Sequence, residues 1–340
     1  MDNQQKKILY AVIHDYILTA SPVGSQQISE KKTVDYSPAT IRNVMSELEK
    51  RGFIKRSHAS SGRIPTDNGY RIYVDELMQI HPLSSKEKQT IQQNLESKSY
   101  QVEQIIHRAC QSVSLHADQI SFGTIPGREN QSLKHIQFLK LKEKLVLVIL
   151  VRSSGQVENK ILEMAQSLSQ NELNQMHNYL NELLGGLSPT EIRNKILKEL
   201  QKEQIRYNGL LTQALMISQD ALENVSNDLY IEGQSRLFHS PEFSDLETME
   251  KLIKTFEKKT LMLKILQEAM EKPGVKILIG DEIEAPEING LTFITSTYND
   301  AEGNKGHLGV LGPTRIHYAK IVPLVEFTSK IVTQTLSEKS

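Results

Sequence analysis

Arg42 and Asn43 stand side by side in the stretch Ser37-Pro38-Ala39-Thr40-Ile41-Arg42-Asn43-Val44-Met45-Ser46-Glu47-Leu48-Glu49-Lys50-Arg51-Gly52. A guanidinium beside a carboxamide is suited to reading base edges. Asn pairs bidentately with adenine and Arg with guanine, each giving about 1–3 kcal/mol of discrimination. Behind them, between Lys50 and Thr66, the charged residues are Lys50, Arg51, Lys55, Arg56 and Arg63, with no Asp or Glu among them. A run of that composition suits phosphates, which supply most non-specific affinity for DNA. His58 lies in the same run and either approaches DNA or sits on the surface without contact.

These groups need a helix and a hairpin to position them. Ser37 is a good N-cap, since its hydroxyl accepts from a first-turn N–H, and Pro38 sits at the first helical position, where its missing N–H costs nothing. Thr40 occupies the position at which a reciprocal capping box would need Glu or Gln. Ile41, Val44, Met45 and Leu48 form one apolar stripe, which leaves Ala39, Asn43, Ser46 and Lys50 facing away and Arg42 on the flank. Gly52 ends the helix. The residues placed to meet DNA are therefore Ser37, Ala39, Thr40, Arg42, Asn43, Ser46, Lys50, Lys55, Arg56, His58 and Arg63.

Upstream, Gln4 to Ala20 has apolar residues at helical spacing, and Ser25 is placed to cap a short helix to Lys32. Helix, short helix, turn, amphipathic helix and basic hairpin is the order of a winged helix-turn-helix. A small helical core with a solvated charged hairpin has the same pattern, and both readings stand at this level.

Past the hairpin, Thr66 or Asp67 caps a helix that His81-Pro82 breaks. A helical pattern from Ser84 to about Leu115 follows, interrupted at Lys98, and reads as an interdomain spacer or a coiled-coil contact. His135 to Leu141, Leu145 to Val151 and Val157 to Leu162 are hairpin-linked, antiparallel strands, with the apolar Leu145 block central. Gln170 to Asn224 returns to helical spacing. Val275 to Ile279, Leu291 to Tyr298 and His307 to Leu311 are strand-like, and Ala319 to Leu336 is mixed, finishing in a helix. Strands on either side of a helical middle predict an α+β domain holding an insertion.

Several motifs then carry a family resemblance. Ser21-Pro22-Val23-Gly24-Ser25, the segment Ser37 to Asn43, Ser60-Ser61-Gly62-Arg63-Ile64-Pro65-Thr66 and Gly69-Tyr70-Arg71-Ile72-Tyr73-Val74-Asp75 lie in the first quarter. Ile279-Gly280-Asp281-Glu282 and Leu308-Gly309-Val310-Leu311-Gly312-Pro313-Thr314-Arg315-Ile316-His317-Tyr318 lie near the end. Together they resemble HrcA, the family of bacterial heat-inducible transcription repressors. Val44 departs from the acidic residue of many members, and about Gln170 to Glu250 matches no motif.

The resemblance implies an α+β chain. Its parts are an N-terminal winged helix-turn-helix over 1–80, a GAF-like mixed α/β domain over 84–165 and 251–340 with a linker helix at 84–117, and an inserted, largely helical dimerisation domain over 166–250. It also implies a homodimer that represses chaperone operons through an inverted-repeat operator, the CIRCE element, on double-stranded DNA. The GroEL chaperonin keeps such a repressor active, and heat relieves repression. A different reading of the same body is a GAF-like sensor of a small-molecule ligand.

The 340 residues are enough for two or three domains. One cysteine, Cys110, forms no internal disulfide, the start lacks a signal peptide's apolar run, and Leu145 to Val151 is too short to span a bilayer, so a cytoplasmic location without membrane contact is expected. Net charge is −1, unevenly spread: through Arg71 there are 11 basic and 7 acidic residues, against 29 and 34 beyond. A positive head on a negative body orients toward nucleic acid. Ten scattered histidines, no metal-ligand spacing, and no nucleophile elbow or Gly-rich phosphate loop give no expectation of an enzyme, metal or cofactor. The cluster Asp281, Glu282, Glu284 reads as a solvated turn or, less simply, an acid/base pair. Arg315 either binds an anion or pairs internally.

Overall fold

A computed structural model describes residues 1–31, 34–57, 62–95, 101–126, 132–153, 157–164, 167–187, 229–239, 241–243, 274–283 and 290–338, with isolated positions between them. The class is mixed helix and antiparallel sheet, α+β. Met1–Ile125 with Leu229–Ser340 form one compact unit, and Pro126–Asp228 form a second.

The first unit opens with α1 (Asn3–Thr19), α2 (Ser25–Glu30) and α3 (Pro38–Lys50), then a two-stranded antiparallel ribbon, β1 (Ile54–Arg56) and β2 (Arg63–Pro65). Asp2 and Gln5 make a reciprocal capping box at the start of α1. Gly24, and not Ser25, precedes α2, and it caps through no side chain. Ile8, Leu9, Val12 and Ile13 of α1 bury against Ile41, Val44, Met45 and Leu48 of α3. Each such side chain contributes about 1.5–3 kcal/mol when fully buried. Val44 therefore serves the core. The ribbon is fastened by Val23, whose N–H and carbonyl both bond Arg63 backbone at 2.9 Å.

Thr66 caps α4 (Asp67–Ile72), accepting from the Gly69 amide, and the helix widens into a π turn over Tyr73–Leu77. The long pattern after it is two helices, α5 (Ser85–Leu95) and α6 (Val102–Ala117). It is neither spacer nor coiled coil. Ile91, Leu95, Ile105, Ile106 and Ala109 lie in the same buried cluster as the C-terminal helix, because an apolar stripe of that width must be covered.

The sheet of this unit is formed by β3 (Ile120–Thr124), β7 (Leu229–Glu232), β8 (Val275–Ile279), β9 (Leu291–Asn299) and β10 (Lys305–Pro313), in the order β7-β3-β10-β9-β8, all antiparallel. Helix α6 and the C-terminal α8 (Tyr318–Glu338) pack on the sheet, and α5 packs on both of these helices. Ala319 to Leu336, expected to be mixed, is one continuous helix. Pro323 inside it cannot bond the Ala319 carbonyl, which accepts instead from the His81 amide at 3.0 Å.

The second unit holds β4 (Leu133–Lys140), β5 (Leu145–Arg152), β6 (Val157–Glu163) and α7 (Gln170–Leu184). These strands were expected in the same domain as the C-terminal strands, with the insertion starting at 166. They form instead a separate sheet, β4-β5-β6, so the second unit starts at Pro126 and is not purely helical. Antiparallel pairing joins β4 to β5 and β5 to β6, and α7 covers one face with Leu173, Met176, Leu180 and Leu184 against Ile136, Phe138, Val146, Val148 and Leu150. The opposite face carries Leu139, Leu147 and Ile161 in one cross-strand row and Val151 beside Val157. Leu139, Val157 and Ile161 are exposed.

Candidate nucleic-acid interface

Helix α3 divides its residues as its periodicity demands. Ile41 and Leu48 are wholly buried, Val44 and Met45 nearly so, and Ala39, Arg42, Asn43 and Lys50 are exposed. Ser37 accepts from the Thr40 amide at 3.2 Å and its hydroxyl lies 2.9 Å from that of Thr40, so both side chains hold the helix start. Ser46 is half-buried and donates to the Arg42 carbonyl at 3.0 Å. Arg42, Asn43, Lys50 and Lys55 make no side-chain bond among the described residues and present their donors outward.

The ribbon corrects the expectation for Arg63. Its side chain is 10% exposed and donates from Nε and Nη2 to Glu49 Oε2 at 3.0 and 2.9 Å. A guanidinium held against a carboxylate under the ribbon does not face a phosphate. Arg56 reaches the other oxygen of Glu49 at 3.2 Å, but its side chain is 73% exposed and remains on the surface. Glu49 thus organises both arginines, and the count of basic residues, which began one position later at Lys50, passed it by. His58 lies outside the described residues.

A second network, which the sequence did not suggest, ties α3 to α1. Gln5 donates to Glu47 at 3.0 Å and accepts from Arg51 at 2.8 Å, while the Arg51 guanidinium lies 5.2 Å from the centre of the Phe53 ring. Lys31, just after α2, reaches the buried Asp15 of α1 at 3.0 Å. Both contacts fix the bearing of α2 and α3 on α1.

The distant motifs meet the head from the body. Arg71 of α4 donates to both oxygens of Glu282, with the Nε bond at 2.7 Å, and to the Ile277 carbonyl at 2.7 Å. Asp67 accepts from the Asp281 amide at 3.1 Å. Arg315 pairs internally, with Glu242 and with the Ile17 carbonyl at 2.9 Å. Between them Tyr318 packs against Tyr70 and Tyr73, at 5.9 and 6.4 Å between ring centroids. Burial, and secondarily Tyr10, pushes the Tyr73 phenol up to about 12. The acidic cluster is therefore a docking point for Arg71, in place of the solvated turn expected; Glu284 lies outside the described residues.

Histidines far apart in sequence, His14, His81 and His317, line one small cavity with Tyr10 and Tyr73. Burial, then Arg315, Lys320 and His14, lower the His317 imidazole below its ordinary range. No group of three His, Cys, Asp or Glu among the described residues is arranged to hold a metal ion. Among the described residues no helix is long and apolar enough to cross a membrane.

The exposed face of α3 thus carries a small side chain beside an amide and a guanidinium, flanked by a basic ribbon, and the class of the protein, a transcription repressor and not an enzyme, follows from its relatives. Residues 103–322 match the family model described as the HrcA protein C-terminal domain. The heat-inducible transcription repressor HrcA of Geobacter sulfurreducens is 37% identical over 336 residues, covering 99% of this chain and 98% of the relative. Those of Syntrophobacter fumaroxidans and Pelotomaculum thermopropionicum are 34% and 36% identical, each over 99% of this chain and at least 97% of theirs. The chain belongs to the HrcA family. A crystal structure of a hypothetical protein, 20% identical, superposes with a TM-score of 0.60 over 100% of this chain and 99% of that one, a likeness of fold.

Proposed function

We propose that the protein is a heat-inducible transcriptional repressor of chaperone operons that binds an inverted-repeat operator of the CIRCE type as a homodimer. Residues 1–80 act as a winged helix-turn-helix, the five-stranded sheet and its helices as a GAF-like body, and the second compact unit as the dimerisation domain. The observation that carries the reading is the outward face of α3, where Ala39, Arg42 and Asn43 are exposed while Ile41, Val44, Met45 and Leu48 are buried.

With α3 in a major groove, Ala39 and the first-turn residues allow close approach, Asn43 and Arg42 pair with base edges, and Lys50, Lys55 and Arg56 ride on phosphates. Two heads related by a two-fold axis read the two arms of the repeat. The apolar row of exposed Leu139 and Ile161 with half-buried Leu147 between them in the second unit supports a contact between two copies, since apolar faces of that kind mark interaction surfaces. Relief by heat needs an active dimer of marginal stability, whose population a chaperonin of the GroEL type raises and loses when it turns to unfolded protein.

The test is a gel shift on an inverted-repeat duplex. Asn43→Ala and Arg42→Ala should each cost about 1–3 kcal/mol per head and relax preference at one base pair of each arm. Binding by both variants as tight and as selective as wild type would overturn the placement of α3.

A further inference from the structure

The head is fastened to the body at points well separated along its surface. At α4, Arg71 spans Glu282, the Ile277 carbonyl and, within its own helix, Asp75 at 3.2 Å. Next to it the backbone at Gly280 adopts φ +51° and comes so close that an added Cβ would lie 1.8 Å from Asp67 Oδ2. Only glycine meets both conditions. At the far end of α1, Arg315 caps the helix: Ile17 is two residues from the last one, and its carbonyl belongs to the set that has no partner within a helix. The tyrosine cluster fills the space between, with the Tyr318 hydroxyl 2.9 Å from Thr292 Oγ1 and donating to the Thr314 carbonyl at 2.7 Å.

Each fixing is polar and directional, so it selects an angle as well as a contact. A purely apolar seam would let α1 and α4 slide; a guanidinium that spends Nε and Nη2 on one carboxylate and a carbonyl beside it does not. Because α3 is tied to α1 through Gln5, Glu47 and Arg51, an angle set at the seam is carried to the reading helix.

We propose that Arg71, Glu282, Asp67 and Arg315 are positioning residues, which never touch DNA but set the direction in which the body presents α3 and hence the spacing between operator arms that the repressor accepts. This rests on the reading of the protein as a dimer on an inverted repeat. A head held at one angle fits arms at one separation and helical phase. A head freed from the seam reaches its arm over a range of spacings.

The experiment uses the full chain. Selection from a random duplex pool with wild type gives the arms; anisotropy titrations then compare duplexes whose spacer is changed by one, two and five base pairs. Wild type should lose about tenfold or more in affinity at a half-turn change, a difference of about 1.4 kcal/mol. Arg71→Ala and Arg315→Ala should bind a single arm as wild type does, yet differ by no more than about threefold across the spacers. Arg71→Lys, which keeps the charge, should recover part of the selectivity. Should an alanine variant fail to fold by circular dichroism, Glu282→Gln takes its place with the same expectation. Variants as selective as wild type overturn the positioning role and leave the operator reading intact. A wild type that selects no paired arms overturns both.

Discussion

Replacing Arg63 and Arg56 one at a time separates the structural role from the DNA-binding one, because both arginines share Glu49 but differ in burial. Arg63 is 10% exposed and makes two short bonds to Glu49, which is itself 27% exposed. Hydrogen bonds to a charged group contribute about 1.5–3 kcal/mol each way they are counted, and breaking a fully buried pair costs about 3–5 kcal/mol. Glu49 keeps Arg56 and some water, so Arg63→Ala should cost about 2–3 kcal/mol of stability. For a unit of this size that lowers the melting temperature by roughly 5–10 °C. Arg56 is 73% exposed, so Arg56→Ala should cost no more than about 1 kcal/mol.

On DNA the order reverses. Arg56→Ala should weaken binding to all sequences alike and reduce the slope of log affinity against log salt by about 0.9 per head, the value of one phosphate contact. Arg63→Ala, measured well below its melting point, should leave that slope unchanged. Differential scanning calorimetry and anisotropy titrations from 50 to 200 mM salt supply both quantities. Arg63→Ala with an unchanged melting temperature and a reduced salt slope would refute the reasoning.

Three further outcomes are expected. Cys110 is fully buried, and burial pushes its thiol up above its ordinary range, so an aromatic disulfide reagent should react with it only as the protein unfolds. Fast reaction with the native protein would contradict its packing under Gly123. Burial, and then Lys305, lower His307 from 6.5 to about 4, so the unfolded chain takes up a proton that the folded one refuses; its contribution is complete above about pH 6.5 and is lost as pH falls toward 4, by about 3 kcal/mol at most. His307→Asn should flatten thermal stability across that window relative to wild type, and an unchanged pH profile would count against the burial of His307. Lys31→Ala should lower stability, since it strands the buried Asp15 carboxylate, and Asp15→Asn made together with it should recover part of the loss; a double variant no better than the single would break that account.

The head was readable in the sequence because its period is strong and its ends are punctuated. Ser37-Pro38 and Gly52 bound α3, and four apolar residues at i, i+3, i+4 and i+7 settle which side faces out. Arg63 misled because composition counts a charge without its partner. Only the fold brings Glu49 beneath it and Val23 alongside.

In the body, β8, β9 and β10 stood out as alternating or apolar runs between turn residues, whereas β3 and β7 did not. β3 carries Ser121, Gly123 and Thr124 in a wholly buried strand, where Ser121 donates to the Cys110 carbonyl and Tyr298 donates to the Thr124 carbonyl. Such a strand lacks an apolar signature because distant groups satisfy it. The β-branched residues of α8 hid a helix for a related reason: Thr328 and Thr335 return their hydroxyls to carbonyls four residues back, and His81 takes the place of the N–H that Pro323 lacks. The motifs around Asp281 and Arg315 were visible as motifs, but their partners Arg71 and Ile17 are more than two hundred residues away. Spacing within a motif says nothing about contacts of that range.

The central claim is that the exposed face of α3 reads bases, and the most direct measurement is a specificity profile. Full-length wild type and Asn43→Ala are titrated against operator duplexes in which each base pair of one arm is changed in turn. The account predicts that Asn43→Ala loses discrimination at one position, by about tenfold or more, and keeps the wild-type profile elsewhere. A profile unchanged at every position, or affinity reduced by one common factor for all duplexes, would contradict it.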